Sequence, residues 1–360
     1  MRIGLIIYGS LDTLTGGYLY DRMLVEHLRR QGDQVEIISL PWRTYGRHLG
    51  DNLSAALYRR LRQAAFDVLL QDELNHPSLV WLNRRLRQAV PSRLVAIVHL
   101  LRCSEPRPAW QNRLYRWVEG RYLQSVDGLI YNSQTTRTVV EGLVGASRPG
   151  VVAYPGRDHL CPTLTAEQIT ERARQPGPLR VLFVGNLTPL KGLHTLLQGL
   201  ARLPSSAWQL TVVGSLTMAP AYTHDVRLQL ARAGLNDHVR LLGALPNAEV
   251  ATHLAQHHVL VGPSFYEAFG IVYLEAMSFG LPVIASTAGA AHELITHAKE
   301  GFLIAPGDAA SLAHHLYALH QDRECLRHMG LAAYNHAMAH PTWAESVGRI
   351  RELLHTLIGE

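Results

Sequence analysis

The feature that most constrains this chain is a repeated alternation. Short apolar runs rich in Val, Ile and Leu are each followed by a longer helix-like stretch. Such runs read as buried strands of parallel sheets joined by crossover helices. The first series falls near 2–8, 35–39, 67–71, 93–98, 126–131 and 150–153. A second falls near 180–185, 208–213, 239–242, 258–261, 281–285 and 301–304. Two such series predict an α/β chain with two doubly wound domains facing a cleft, and ligands beyond the carboxyl ends of the strands. Pro155-Gly156 through Pro176-Gly177-Pro178 gathers turn formers around one short polar helix. The expected organisation is a first domain over 1–155, a linker over 156–178, a second domain over 179–340 and a terminal helix over 341–360. Val347, Ile350, Leu354 and Ile358 have the helical spacing that suits this last segment for packing back on the first domain.

Composition narrows the class. Of 360 residues, 47% are apolar and only 3 are Cys, which excludes disordered, collagen-like and disulfide-scaffold chains. Cys103, Cys161 and Cys325 lack metal-ligand spacing, so a reducing, cytoplasmic setting is expected. The run Ile3 to Tyr8 is too short for a signal segment or a membrane span, which leaves only peripheral membrane contact.

The charge is uneven. Residues 76–122 carry 9 Arg against only Glu105 and Glu119. Within them, Leu79, Leu82, Leu86 and Val90 form one helical stripe, and Trp110, Leu114 and Trp117 form another beside Arg113 and Arg116. Two readings stay open: a helix that lies on anionic membrane at the inner face, or stripes packed in a core with solvated arginines. Nucleic acid is not expected, because no binding motif accompanies the arginines.

Two segments carry chemistry. In the first, strand 180–185 exits through Gly185 and Asn186 towards a helix beginning near Lys191. Lys191 is one of only 2 lysines against 32 arginines, so a compact ammonium beside a helix N-terminus points to phosphate. A solvated first-turn lysine is the plain alternative. In the second, Pro263-Ser264 leads to Glu267, and Gly270 opens a helix that is apolar apart from Glu275. Two carboxylates flanking a helix N-terminus suit a polyol beside a phosphate, while a capping loop with an exposed Glu275 is the alternative.

These segments resemble the signature of the retaining GT-B glycosyltransferases of family 4, in which a Pro-Ser loop precedes two glutamates and a phosphate-binding lysine lies upstream. Gly16-Gly17, Asn132-Ser133 with Thr136-Arg137, and Pro306-Gly307-Asp308 also fall where that family's pattern has them, so the resemblance covers essentially the whole chain. It implies a GT-B architecture of two Rossmann-like domains and an enzyme that transfers a hexose-type sugar from a nucleotide-diphosphate donor to an acceptor hydroxyl. It also implies roles. Glu275 would bind the donor ribose and Glu267 hydroxyls of the transferred sugar, while Phe269, Gly270, Ile271 and Val272 would line the sugar and phosphate site. Lys191 would neutralise the distal phosphate, and His99 would be the active-site histidine beneath the sugar. Gly16 and Gly17 would let backbone approach the diphosphate or acceptor, and Gly214 and Leu245 would pass near the base. His76, after strand 67–71, is read as an acceptor contact or as part of a capped loop.

The chain departs from the family twice. Asn186 stands where an arginine is usual, five residues before Lys191, and Ala268 stands where glycine usually follows the first glutamate. No Asp-x-Asp occurs, so metal-independent transfer without a cofactor is expected, with phosphate charge carried by Lys191 and helix N–H groups. The acceptor classes are a sugar, a lipid-linked sugar or a small molecule. The rivals are a GT-B phosphorylase, a nucleotide-sugar epimerase and a non-catalytic nucleotide-sugar-binding protein.

Overall fold

A computed structural model describes residues 1–146 and 148–359. Its first half contains β1 (Arg2–Tyr8), α1 (Gly16–Arg30), β2 (Gln34–Leu40), α2 (Tyr45–Asp51), α3 (Ala55–Gln63), β3 (Val68–Asp72), α4 (His76–Leu79) and α5 (Leu82–Leu86). It continues with β4 (Arg93–Val98), α6 (Ala109–Leu123), β5 (Gly128–Tyr131), α7 (Gln134–Val144) and β6 (Gly150–Val152). The second half opens with α8 (Ala166–Arg174), β7 (Leu179–Val184), α9 (Leu193–Leu200), β8 (Trp208–Val213), α10 (Pro220–Ala233), β9 (Val239–Gly243) and α11 (Asn247–Gln256). Then come β10 (Val259–Gly262), α12 (Ile271–Ser278), β11 (Val283–Ser286), β12 (Gly301–Ile304), α13 (Ala309–Gln321), α14 (Arg323–Ala339) and α15 (Trp343–Ile358). Each of the 12 runs read as strands forms one, because β-branched residues buried on both faces suit a parallel sheet. Among the described residues, no helix is long and apolar enough to cross a membrane.

The chain divides into two compact units, Met1–Gly156 with Pro341–Glu360, and Arg157–His340. In the first, the strand order is β2-β1-β3-β4-β5-β6, and every neighbouring pair is parallel. The returning helix α15 buries Trp343, Val347, Ile350 and Leu354 against Ile3, Leu5 and Ile7 of β1 and Leu24 of α1. Its Arg351 donates to Asp33 at 2.9 Å, and Asp33 also accepts from the terminal ammonium of Met1 at 2.8 Å.

The second unit is ordered β12-β11-β10-β7-β8-β9, again with every pair parallel. Much of the segment read as a linker over 156–178 packs as part of this unit. Ile169 and Ala173 of α8 are buried, and so is Arg172. The Arg172 guanidinium donates to Leu254 O at 3.3 Å, Ala255 O at 3.0 Å, and Phe279 O and Gly280 O at 2.8 Å each. It thereby caps the carboxyl ends of α11 and α12, whose last carbonyls lack intrahelical partners. Turn-forming flanks and a polar sequence concealed a buried cation that pins this helix in place.

The two orders put the reversal of strand sequence in different places. It lies between β1 and β3 in the first unit and between β7 and β10 in the second. Loops at such a reversal splay apart and leave room for a ligand beyond the strand ends.

Candidate donor and transfer sites

In the second unit, the loops leaving β7 and β10 meet at the reversal. Lys191 lies on a short turn, Pro189–Lys191, just ahead of α9. Its ammonium Nζ donates to Glu267 Oε2 at 2.6 Å, across 76 residues of sequence. Ser264 Oγ donates to the same oxygen at 3.3 Å. The Glu267 N–H donates to Ala288 O at 3.1 Å, and its carbonyl accepts from Ala290 N–H at 2.9 Å, so the loop is stitched to the segment after β11. Both side chains remain partly exposed, at 32% for Lys191 and 16% for Glu267, which leaves the pair open to a ligand.

Gly270 caps α12 at φ 91°, and a Cβ there would lie 2.2 Å from Tyr273 Cδ2. Only glycine fits this left-handed, crowded position. Tyr273 is anchored in turn by donating to Gly262 O at 2.7 Å. The helix thus starts with the N–H groups of Ile271 and Val272 lacking intrahelical acceptors, an arrangement suited to an anion. Phe269 is buried and lies 5.8 Å, ring to ring, from His340. Glu275 is half-buried on α12. Its carboxylate makes no hydrogen bond to protein among the described residues, and burial pushes its pKa up to about 8.

Gly185 N–H donates to Val213 O at 2.8 Å, and Gly214 N–H to Gly243 O at 2.8 Å, bringing the ends of β7, β8 and β9 side by side. Gly214 has φ 145°, and a Cβ there would meet Gly185 O at 2.0 Å, so the approach of these backbones needs glycine. Leu245 follows in the loop after β9, half-buried. Asn186 works as a latch: its Oδ1 accepts the Ser215 N–H at 3.0 Å. A neutral amide there ties two loops together and supplies no positive charge.

The first unit holds a different set at its own reversal. His99 follows β4, and its Nε2 lies 3.0 Å from Asp21 Oδ1 on α1. Asn132 Nδ2 donates to His99 O at 2.9 Å, and Tyr20 meets the ring edge-on at 5.1 Å. Gly17 lies against the same ring, since a Cβ on it would come within 3.2 Å of His99 Cδ2. Gly16 begins α1 after Thr15, whose side chain accepts from Tyr18 N–H.

Beneath His99 lies a buried acidic cluster. Asp21, Asp72, Glu73, His76 and Glu119 are all shielded from solvent. Burial pushes Asp72 up to about 7, Glu73 up to about 8 and Glu119 up to about 7, with the charges of Asp21 and Glu73 adding to the first and last. Burial also pushes His76 down to about 4. For His99, burial alone would lower the pKa, but the charge and hydrogen bond of Asp21, with Asp72 and Glu73 behind, raise it. Ligand atoms of Asp21, Asp72 and His99 lie within 4.8 Å of one another, as do those of Glu73, His76 and Glu119, so either triad has the reach to hold a cation. The 3.0 Å contact from His99 to Asp21 is equally satisfied by one proton on that line. His76 is enclosed: its Nε2 pairs with the Tyr45 hydroxyl at 3.0 Å, and its ring is buried.

Sequence reasoning singled out His99 but missed its partners. A signal for Asp21 was present, because it falls on the same helical face as the apolar Leu24, Val25 and Leu28. Asp72 ends a strand that reads as apolar and Glu73 opens the turn after it, and nothing local reveals that Glu119 joins them.

Comparison with known proteins agrees with the fold of the two units. Residues 165–336 match the family described as Glycosyl transferases group 1, and residues 18–156 match the Glycosyl transferase 4-like domain. The D-inositol 3-phosphate glycosyltransferase of Nocardia farcinica is 30% identical over 65% of this chain and 53% of its own length. The chain thus spans little more than half of that relative. The phosphatidyl-myo-inositol mannosyltransferase of Mycobacterium leprae is 28% identical over 99% of this chain and 97% of its own. In fold, the chain resembles sucrose-phosphate synthase from Thermosynechococcus elongatus, with a TM-score of 0.86 at 21% identity over 99% of both chains. It also resembles Anabaena HepE in complex with UDP-glucose, with a TM-score of 0.79 at 23% identity over 99% of this chain and 100% of the other.

Proposed function

Since the chain belongs to family 4 of the GT-B glycosyltransferases, we propose that it is a retaining hexosyltransferase, moving a hexose from a nucleoside-diphosphate donor to an acceptor hydroxyl without a metal ion. The observation that carries this reading is the Lys191–Glu267 pair beside the amino end of α12, with the unpartnered Glu275 carboxylate on the same helix. Lys191 and the N–H groups of Ile271 and Val272 supply positive charge where the leaving diphosphate gains negative charge. Glu275 accepts from the ribose hydroxyls, a use that explains a carboxylate held half-buried without protein partners. Glu267 serves twice: it fixes the Lys191 ammonium and accepts from hydroxyls of the transferred sugar. Gly185, Asn186, Gly214 and Leu245 line the nucleotide side. His99, held by Asp21, serves the reacting sugar, while Gly16 and Gly17 keep its surroundings free of side chains.

Retention fits substitution on one face of the sugar. The bond from the anomeric carbon to the phosphate oxygen breaks while the bond to the acceptor oxygen forms. The departing phosphate oxygen takes the acceptor's proton, and the enzyme stabilises the oxocarbenium-like state between. UDP-glucose is the first donor to test, because HepE was solved with it. The acceptor belongs among polyols, sugars, lipid-linked sugars and small molecules, since the named relatives act on inositol phosphate and phosphatidylinositol. The free thiols of Cys103, Cys161 and Cys325 fit a reducing cytoplasmic setting.

Calorimetric titration with UDP, GDP and ADP, first with chelator and then with Mg²⁺, tests the donor site. One nucleotide should bind equally well in both conditions, and Glu275→Ala should weaken it. Dependence on Mg²⁺ would remove the metal-independent part of the reading. An inverted product anomer would remove the retaining part.

A further inference from the structure

Of the two stripes in the arginine-rich stretch, one is core and one is not. Leu79, Leu82 and Leu86 are fully buried. On α6, the carboxyl-terminal turns bury Val118, Glu119, Gly120, Tyr122 and Leu123, while the amino-terminal turns are held on one side only, by Tyr115 against Tyr45 and by Asn112 donating to Glu105 O. The amino-terminal turns bury no residue. There Trp110 is 69% exposed, Leu114 46% and Trp117 51%, spaced so that all three share one face. Large aromatic residues left so exposed on one helix face mark a surface for association.

The charge around this face is of one sign. Arg113, Arg116 and Arg121 are exposed, and the Arg121 guanidinium lies 5.6 Å over the Trp117 ring. The nearby acids are already engaged. Glu119 is buried and accepts the Arg102 N–H at 2.6 Å and the Cys103 N–H at 3.2 Å, while Glu105 pairs with Arg107. No acid occurs between Ala109 and Val118. A second copy of this face would bring arginines against arginines. An anionic lipid surface instead offers phosphates to the guanidiniums and an apolar boundary to the indoles, whose amphipathic rings favour that depth.

We propose that the amino-terminal half of α6 docks on an anionic bilayer, with Trp110, Leu114 and Trp117 entering the headgroup boundary and Arg113, Arg116 and Arg121 pairing with lipid phosphates. This goes beyond the transfer reaction and stands or falls without it. The test is co-sedimentation of the full chain with vesicles of phosphatidylcholine alone or mixed with phosphatidylglycerol, at low and raised salt. Binding is expected only to the mixed vesicles, with a blue shift of tryptophan emission, and raised salt should weaken it. The triple variant Trp110→Ser, Leu114→Ser, Trp117→Ser and the double variant Arg113→Glu, Arg116→Glu should each lower partitioning about tenfold or more. Every substituted side chain is solvent-exposed, so melting temperatures should match that of the wild type. Absence of binding to the mixed vesicles overturns the proposal. So does undiminished binding by the triple variant, or a triple variant that changes only the protein's sedimentation as an oligomer, which would make this face a contact between copies.

Discussion

The two units are built from the same alternation, yet they charge their reversals in opposite ways. The second unit has a partly open ion pair, Lys191 with Glu267, and, in the middle of α12, a carboxylate without a hydrogen-bond partner among the described residues. The first has a closed cluster of carboxyl groups and histidines. An open pair can exchange partners with a ligand at little cost to the fold. A closed cluster is coupled to folding, because each buried carboxyl must hold a proton or find a cation. The second unit is therefore arranged to bind charge, and the first to hold protons around His99.

Substitutions can break or sharpen this contrast. The largest effect is expected from Lys191→Ala, which should lower kcat about 100-fold or more, in the range seen for loss of one charge-stabilising group. Its melting temperature should hardly move, since a partly exposed pair contributes under about 1 kcal/mol. Unchanged turnover would remove Lys191 from the leaving-group site. Next, Glu275→Ala should weaken nucleotide binding, read by calorimetry, by about 0.5–1.5 kcal/mol below about pH 8, where burial keeps the carboxyl protonated, and by about 1.5–3 kcal/mol above it, where its hydrogen bonds to the ribose are charge-assisted.

A smaller and different effect is expected in the first unit. Asp21→Asn removes the charge that holds the His99 pKa up. The His99 titration, followed by NMR, should move down, and turnover should change most in the pH window between the variant and wild-type titrations. A merely structural role for Asp21 would leave that titration in place while lowering the melting temperature. This readout separates positioning from packing.

The smallest effect concerns pH and stability. Asp72, Glu73 and Glu119 bind protons more tightly when folded than when unfolded, so their stabilisation is complete below the ordinary carboxyl range and is lost as pH rises through about 7 to 8. Histidines buried in the second unit act oppositely. Burial pushes His257 down to about 4 and His258 down to about 2, so their stabilisation is present above the ordinary His value and is lost as pH falls below it. Melting temperature should therefore fall both as pH rises through about 7 to 8 and as it drops below the ordinary His value. Glu73→Gln should flatten the alkaline limb, and an unchanged limb would mean that this cluster carries little of it.

Much of this protein was legible without coordinates. The strands, the Gly270 helix start and the placing of Lys191, Glu267 and Glu275 around it follow from local patterns, because burial on both faces of a strand and the demands of a helix terminus act within a few residues, whereas His99 stood out only through the family resemblance. Strand order was not legible, because apolar periodicity marks a strand without naming its neighbours. Only the tertiary structure separated β2-β1-β3 in one unit from β10-β7-β8 in the other, and with that order came the meeting of Lys191 and Glu267 across 76 residues and of Asp21 and His99 across 78. The buried Arg172 and the bare face of α6 belong to the same class. Whether a polar group is enclosed or an apolar stripe is covered depends on which distant segments pack against it, and that choice is made by the whole fold.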